Sequence, residues 1–440
     1  MAVAVLDFGK THTRIVLFSD HGRTLARLQC ETPHGYVRGV RTEDTETLER
    51  WLCAELAELE AETIVPLAHG AAWAAIDPDS PASAPVLDYL EAPPPDLSEE
   101  YDAVRPGFAE TGSPGLGAGL NMGRQLFWME QSGLLDTGPV LLPLAQYWAW
   151  RMGGHPRSDV SSLGCHTDLW SPHGSDWSSL ARAQGWADRF APLADAGAVV
   201  GQTDWTAAGK ARDRADILCG LHDSNAAMLA LRHCAPDADL LLSTGTWHVL
   251  SAPGSTVLPD ADADGVINVT PDGEPLPSYR FMGGEVRKRI GADETPSTLE
   301  DVRRLVASRR MIDFPVLSGS GPFGRFAARQ LEYGPDAAAL SDLHTAMVWN
   351  HMISKLAPQA RTLVVEGPAS GGLAPSILSA LHPGLDVLIA PPGLDAAYGG
   401  FLLARPGTDV ARPTSALPVR IEGLDDYAAA WRRKAEALTR

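Results

Sequence analysis

A chain of 440 residues is long enough for two or three domains with large cores, and its 45% apolar and 21% charged content is that of a globular protein. Its formal charge of −19 argues against nucleic acid or an anionic membrane as the main partner, since both reward a basic surface. The five cysteines, Cys30, Cys53, Cys165, Cys219 and Cys234, are scattered without a C-x-x-C pair, so neither a disulfide framework nor a zinc site is expected, and a reducing compartment is. No basic leader precedes an apolar segment and no apolar run is long enough to span a bilayer, which predicts a cytoplasmic protein.

In chain order, residues 2–8 (AVAVLDF) and 13–18 read as strands joined by the turn Gly9-Lys10-Thr11-His12. This is not a Walker A loop. Ala4 stands where the first glycine would be, and a β-branched run follows the lysine in place of a helix. Such a turn can be an ordinary hairpin, or it can offer backbone N–H groups to an anion with Asp7 facing a hydrated Mg²⁺. Residues 43–60 have helical spacing, with Leu48, Trp51, Leu52, Leu56 and Leu59 on one face. Residues 63–70 read as a buried strand ending in Ala68-His69-Gly70, and residues 78–118 are a long Pro- and Gly-rich loop. A helix is expected over 120–132.

The segment ADILCGLHD ends in Asp223, which can cap the helix that begins at Ser224 or stand at a cleft edge as a proton acceptor. Residues 239–250 (DLLLSTGTWHVL) form a second strand-turn-strand that aligns with the first, suggesting two similar domains. A third glycine turn, Glu366 to Gly372, joins a strand to a helix, either as a tight βα connection or as a nucleotide contact. Residues 425–438 close the chain with an amphipathic helix whose apolar face holds Tyr427, Trp431, Ala435 and Leu438.

Five motifs thus stand in order: Asp7-Phe8-Gly9-Lys10-Thr11, Gly220-Leu221-His222-Asp223, Ser243-Thr244-Gly245-Thr246, Glu366 to Gly372, and Ala396-Ala397-Tyr398-Gly399-Gly400. Over nearly the whole chain they resemble the FGGY family of carbohydrate kinases, most closely its rhamnulokinase and fuculokinase branch. Lys10 stands where many members have threonine, and Pro368 where glycine is commoner. The resemblance implies an α/β protein of two ribonuclease H-like domains in the sugar kinase/actin/Hsp70 fold. The domains would be residues 1–229 for sugar and 230–440 for ATP, with the active site in the cleft between them.

The implied activity is ATP-dependent phosphorylation of a ketose, a 6-deoxyketohexose or a ketopentose, by a monomer or homodimer. Asp223 would be the proton acceptor and Asp7 would orient Mg²⁺. Gly9, Lys10, Thr11, Thr244, Gly245 and Thr246 would hold phosphates, and Gly367, Gly371 and Gly372 the adenosine. His69, Asn121, Arg124, Gln125, His166, Asp168 and Asp223 would meet the sugar, with Trp73 and Trp170 as aromatic platforms. The alternative from another class is an actin- or Hsp70-like ATPase or a sugar-sensing pseudokinase, which the Gly-x-x-Asp motif and the sugar-side residues disfavour.

Overall fold

The computed structural model describes residues 2–80, 83–135, 140–203, 214–292, 296–312 and 333–439, so residues 81–82 of the Pro- and Gly-rich stretch lie outside the described residues. The chain divides into two compact units. Unit 1 comprises Met1–Leu229, Ile267–Pro275 and Ala396–Asp409; unit 2 comprises Ala230–Val266, Leu276–Asp395 and Val410–Arg440. Both units are mixed α/β, as expected above.

Unit 1 begins with β1 (Ala2–Phe8), β2 (His12–Ser19) and β3 (Thr24–Glu31). A small hairpin follows, β4 (His34–Val37) and β5 (Val40–Glu43), and then α1 (Thr45–Leu56). Asp44 caps α1 through the Thr47 N–H at 3.0 Å, and Leu48, Leu52 and Leu56 face the core as their spacing requires. Next come β6 (Thr63–Ala68), α2 (Met122–Gln131), α3 (Leu144–Arg151), β7 (Val199–Gln202), β8 (Asp216–Leu218), β9 (Leu221–His222) and α4 (Asp223–Cys234). The sheet runs β7-β8-β6-β1-β2-β3, with β9 also paired to β6. β1 is antiparallel to β2, with Asp7 opposite Arg14, and parallel to β6, with Phe8 opposite Ala68. Parallel pairing buries both faces of β1 and β6, which explains their continuous apolar runs.

Unit 2 repeats this plan. β10 (Leu240–Thr244) and β11 (His248–Ser251) form the antiparallel hairpin. They are followed by β12 (Pro275–Phe281), α5 (Gly283–Arg289), α6 (Ala337–Leu356) and β13 (Thr362–Glu366), which lies parallel to β10 with Glu366 opposite Ser243. After α7 (Ala374–Leu381) and β14 (Asp386–Ile389), α8 (Ala396–Ala404) belongs to unit 1. β15 (Thr414–Ser415) and α9 (Leu424–Thr439) complete unit 2, whose strands run β12-β11-β10-β13-β14-β15. Tyr427, Trp431 and Ala435 of α9 are buried in the unit 2 core, as the amphipathic pattern predicts.

Within unit 1, α8 packs on β1 and β6 and on the first turn of α4. A Cβ at Gly399 would stand 1.8 Å from the Ala226 carbonyl oxygen, and one at Gly400 would stand 2.8 Å from Val5 Cγ1. The glycines therefore set how closely α8 approaches the helix that begins with Asp223. Gly399→Val is expected to destabilise the protein by about 1–3 kcal/mol through overpacking, read as a lower melting midpoint. Gly407→Ala, where no atom lies within 4 Å of the added Cβ, should leave the midpoint unchanged.

Candidate functional site

The first phosphate turn of the sequence is a closed hairpin turn, with the Gly9 N–H donating to the His12 carbonyl at 3.1 Å and Thr11 exposed. Asp7 ends β1 just before it. Its carboxylate is 12% exposed and lies 3.3 Å from Arg14 NH1. One partly open carboxylate fits a cation that keeps most of its water and takes its other ligands from phosphates, which is how Mg²⁺ is commonly held. Among the described residues no group of three His, Cys, Asp or Glu side chains is placed to hold a metal.

Lys10 turns back onto unit 1. Its Nζ is ion-paired with Asp88, whose side chain is fully buried, and lies 3.0 Å from His34 Nε2 and 5.2 Å from the centre of the Tyr89 ring. Arg41 Nε reaches the same Asp88 oxygen at 3.3 Å. The lysine is thus neither a free phosphate ligand nor a solvated turn residue in this arrangement.

β6 ends at Ala68, and His69 follows with Nε2 3.1 Å from Glu43 Oε1 and its ring 5.1 Å edge-on from Tyr89. A Cβ on Gly70 would overlap Cys165 Sγ and His222 Nε2, so only glycine lets this turn pass. Gly220 takes φ +79° with its α-carbon pressed on Pro66, and this left-handed residue re-aims the chain so that β9 rejoins β6 and Asp223 opens α4. Asp223 Oδ1 accepts from the Ser224 N–H at 2.5 Å and lies 3.3 Å from His222 Nε2. Its other carboxylate oxygen has no protein partner among the described residues, and the side chain is 29% exposed. One oxygen thus serves the helix start and the other is open. Burial holds His222 below the ordinary histidine range, although the Asp223 charge opposes this.

The sugar-side residues near α2 are held by the protein itself. Asn121 is fully buried; its Oδ1 accepts from the Leu116 N–H, and its Nδ2 donates to the carbonyls of Pro114 and His166. Arg124 pairs with Asp102 at 2.6 Å and lies over the Tyr101 ring. Gln125 Nε2 donates to the carbonyls of Ala71 and Gly119, and His166 Nδ1 meets the Leu120 carbonyl at 2.9 Å. Asp168 is fully buried, accepting from Tyr101 and from Arg105 NH2 at 2.7 Å. Trp73 and Trp170 lie in the hydrophobic cluster with Tyr101 and Leu126 and present no platform to solvent. Of the expected sugar residues, the structure gathers His69 and Asp223 at one place, and Gln125 of the α2 group is tied to the turn after His69 through the Ala71 carbonyl. Glu43, Asp88, Tyr89 and His222 stand there too. Only the Gly-x-x-Asp spacing singles out one of these four, His222, in the sequence.

In unit 2 the second and third glycine turns meet. A Cβ at Gly367 (φ +87°) would lie 1.9 Å from the Thr244 carbonyl oxygen, and Thr244 Oγ1 donates to the Glu366 carbonyl at 2.5 Å and accepts from the Ala369 N–H. The Thr244 hydroxyl is thus part of the scaffold, while Thr246 is exposed and free to meet a ligand. Beside these turns is a pocket of about 370 Å³ lined by Gly245, Gly371 and Gly372, together with Gly284, Arg287, Ser297, Asp342 and Thr345. Its volume suits a nucleoside portion, and its glycines let a ligand lie against backbone. The Gly283-Gly284 start of α5 and the polar residues of α6 carry no distinguishing sequence signal; they reach the pocket only through the fold.

Glu366 ends β13 with its carboxylate hydrogen-bonded to Ser243 of β10. Burial, with Asp395 as a nearby like charge, lifts it to about 7, against the Ser243 bond. The folded state therefore keeps a proton that the unfolded state has already released. Stability is greatest below the ordinary glutamate range and falls by about 3 kcal/mol as the pH rises to about 7. Glu366→Gln should remove this dependence, so that thermal melts show its gain over wild type growing from acidic to alkaline pH.

Residues 238–412 match the family described as carbohydrate kinase FGGY, C-terminal domain. A carbohydrate kinase from Novosphingobium aromaticivorans is 34% identical, over 98% of this chain and 100% of that one, with a TM-score of 0.86. More distant structures share the fold. A xylulose kinase from Lactobacillus acidophilus is 15% identical over 100% and 97% of the two chains, with a TM-score of 0.77. The Plasmodium falciparum glycerol kinase with ADP is 10% identical over 99% and 98%, with a TM-score of 0.75. No relative was found among the curated proteins.

Proposed function

The chain belongs to the FGGY carbohydrate kinases, phosphotransferases with an alcohol group as acceptor, and on that premise we propose that it transfers the γ-phosphoryl group of ATP to the terminal hydroxyl of a ketose. The acceptor is a ketopentose or a 6-deoxyketohexose such as L-rhamnulose or L-fuculose. Unit 1 takes the sugar and unit 2 the nucleotide. The observation that carries this reading is the open carboxylate oxygen of Asp223, set beside His69 and His222.

Phosphoryl transfer is mostly a matter of position and charge. Asp223 accepts the proton of the attacking hydroxyl. His69, held by Glu43, orients the sugar. Asn121, Arg124, Gln125, His166 and Asp168 keep the turns at that place in position. The hydroxyls of Thr11 and Thr246 meet phosphate oxygens, Gly9 and Gly245 let those oxygens approach the turn backbone, and the Thr244 hydroxyl braces the second turn. Lys10 contributes its charge from its place on Asp88. Gly367, Gly371 and Gly372 lie against the adenosine. Mg²⁺, oriented by Asp7, offsets phosphate charge when bound.

A ketose fits better than a three-carbon polyol. Glu43, His69, His222 and Asp223 present more polar groups than glycerol could satisfy, and each unmatched buried group costs about 1–3 kcal/mol. The decisive assay is ATP-dependent phosphorylation of L-rhamnulose, L-fuculose, L-ribulose and the xyluloses, with gluconate and glycerol alongside. Efficient use of glycerol with no activity on any ketose would overturn the assignment. Asp223→Asn should lower kcat by about 10²- to 10⁴-fold, while calorimetric titration still detects sugar binding. Wild-type turnover by this variant would leave Asp223 with its helix-start role alone.

A further inference from the structure

We propose that Tyr89 is the acceptor-binding aromatic of this enzyme. Its ring covers the carbon chain of the ketose, its phenol hydroxyl bonds one sugar hydroxyl, and the Lys10–Asp88 ion pair fixes its place. The inference rests on the reading of unit 1 as the sugar-binding unit.

Four observations lead to it. Tyr89 is half-buried, and its hydroxyl has no protein partner among the described residues, which leaves a phenol donor open to a ligand. Its surroundings are the polar groups assigned above to catalysis and sugar binding. The His69 ring lies 5.1 Å edge-on, and burial together with the charges of Asp223, Asp88 and Glu43 holds the phenol far above its ordinary range. A phenol so held stays protonated and remains a donor.

The Tyr89 backbone is also fixed from both sides. Its carbonyl accepts from the Gly119 N–H at 2.9 Å, and Gln125 joins the Gly119 carbonyl to that of Ala71, two residues beyond His69. On the other side, Asp88 is bound through its N–H to the Arg41 carbonyl and through its carboxylate to Lys10 and Arg41. Finally, the two tryptophans that the sequence offers as platforms are in the core, which leaves Tyr89 as the aromatic face beside Asp223 and His69.

Lys10 belongs to the β1–β2 turn, so its bond to Asp88 ties that turn to the aromatic residue next in sequence to Asp88. Removing one partner of such a buried pair leaves the other uncompensated, and the segment it anchors shifts.

The test uses the ketose turned over fastest in the panel above, with its singly deoxygenated analogues. Tyr89→Phe keeps the ring and removes the hydroxyl. It should raise the acceptor KM about tenfold, the usual worth of one hydrogen bond, while kcat and the KM for ATP stay near wild type. One deoxygenated analogue, poor for the wild-type enzyme, should no longer be disfavoured by the variant. Asp88→Asn should raise the acceptor KM in the same direction, and it decides the matter if Tyr89→Phe fails to fold. A merely structural tyrosine would lower the melting midpoint without changing the ranking of the analogues. If Asp223→Asn is inactive but Tyr89→Phe keeps the wild-type acceptor KM and ranking, the Tyr89 inference alone is overturned. If Asp223→Asn turns over like wild type, the sugar site lies elsewhere and both assignments fall.

Discussion

Each unit depends on one backbone arrangement: a hairpin whose first strand is also paired in parallel with a later strand. In unit 1, β1 turns back through Gly9 to β2 and lies beside β6; in unit 2, β10 turns back through Gly245 to β11 and lies beside β13. Parallel pairing makes two strands end at the same edge of the sheet. The turns that follow them are therefore neighbours by construction, and ligands of open α/β sheets bind outside such carboxyl ends. His69 is close to the Gly9–His12 turn, and Gly367 close to Thr244, because the strands that lead to them are hydrogen-bonded along their length.

The contact between those turns leaves no room for a side chain. Gly367 must take a left-handed conformation against the Thr244 carbonyl, and Gly220 does the same against Pro66. Helix positions are set by the same limit, since Gly399 admits α8 to within contact of the first turn of α4. The open oxygen of Asp223 is thus placed by three glycine-dependent approaches, at Gly220, Gly70 and Gly399, and not by the polar residues around it. Polar groups then refine the place: Glu43 aims His69, while Ser243 and Glu366 cross-link β10 and β13 where the second and third glycine turns begin.

The residues near α2 show that polar character serves the scaffold as well as a ligand. Asn121, Arg124, Gln125, His166 and Asp168 have the composition of a sugar site, and their position after a Pro- and Gly-rich loop suggested one. Most of their hydrogen-bonding atoms are engaged by main-chain groups, Tyr101, Asp102 and Arg105, while Arg124 Nε and Gln125 Oε1 are buried without a partner among the described residues. A buried loop must satisfy its backbone groups, and side chains of this kind do so as readily as they bind a ligand. Lys10 is a similar case, since the buried Asp88 carboxylate of the same unit pairs with the charge that the turn motif offers to phosphate.

The sequence by itself determined the two strand-turn-strand units, the amphipathic helices α1 and α9, the glycine turns and the position of Asp223 after Gly220. These are local properties. They follow from β-branched runs, helical spacing and the conformations that only glycine adopts easily, all contained within a few consecutive residues. Tertiary structure alone decided that 267–275 and 396–409 rejoin unit 1, that Trp73 and Trp170 are core, that Glu43, Asp88 and Asp223 come together near Tyr89, and that His222 stands beside Asp223. Those facts depend on which distant segments pair. Pairing is set by sheet register and by the fit of whole surfaces, and no window of sequence holds both partners.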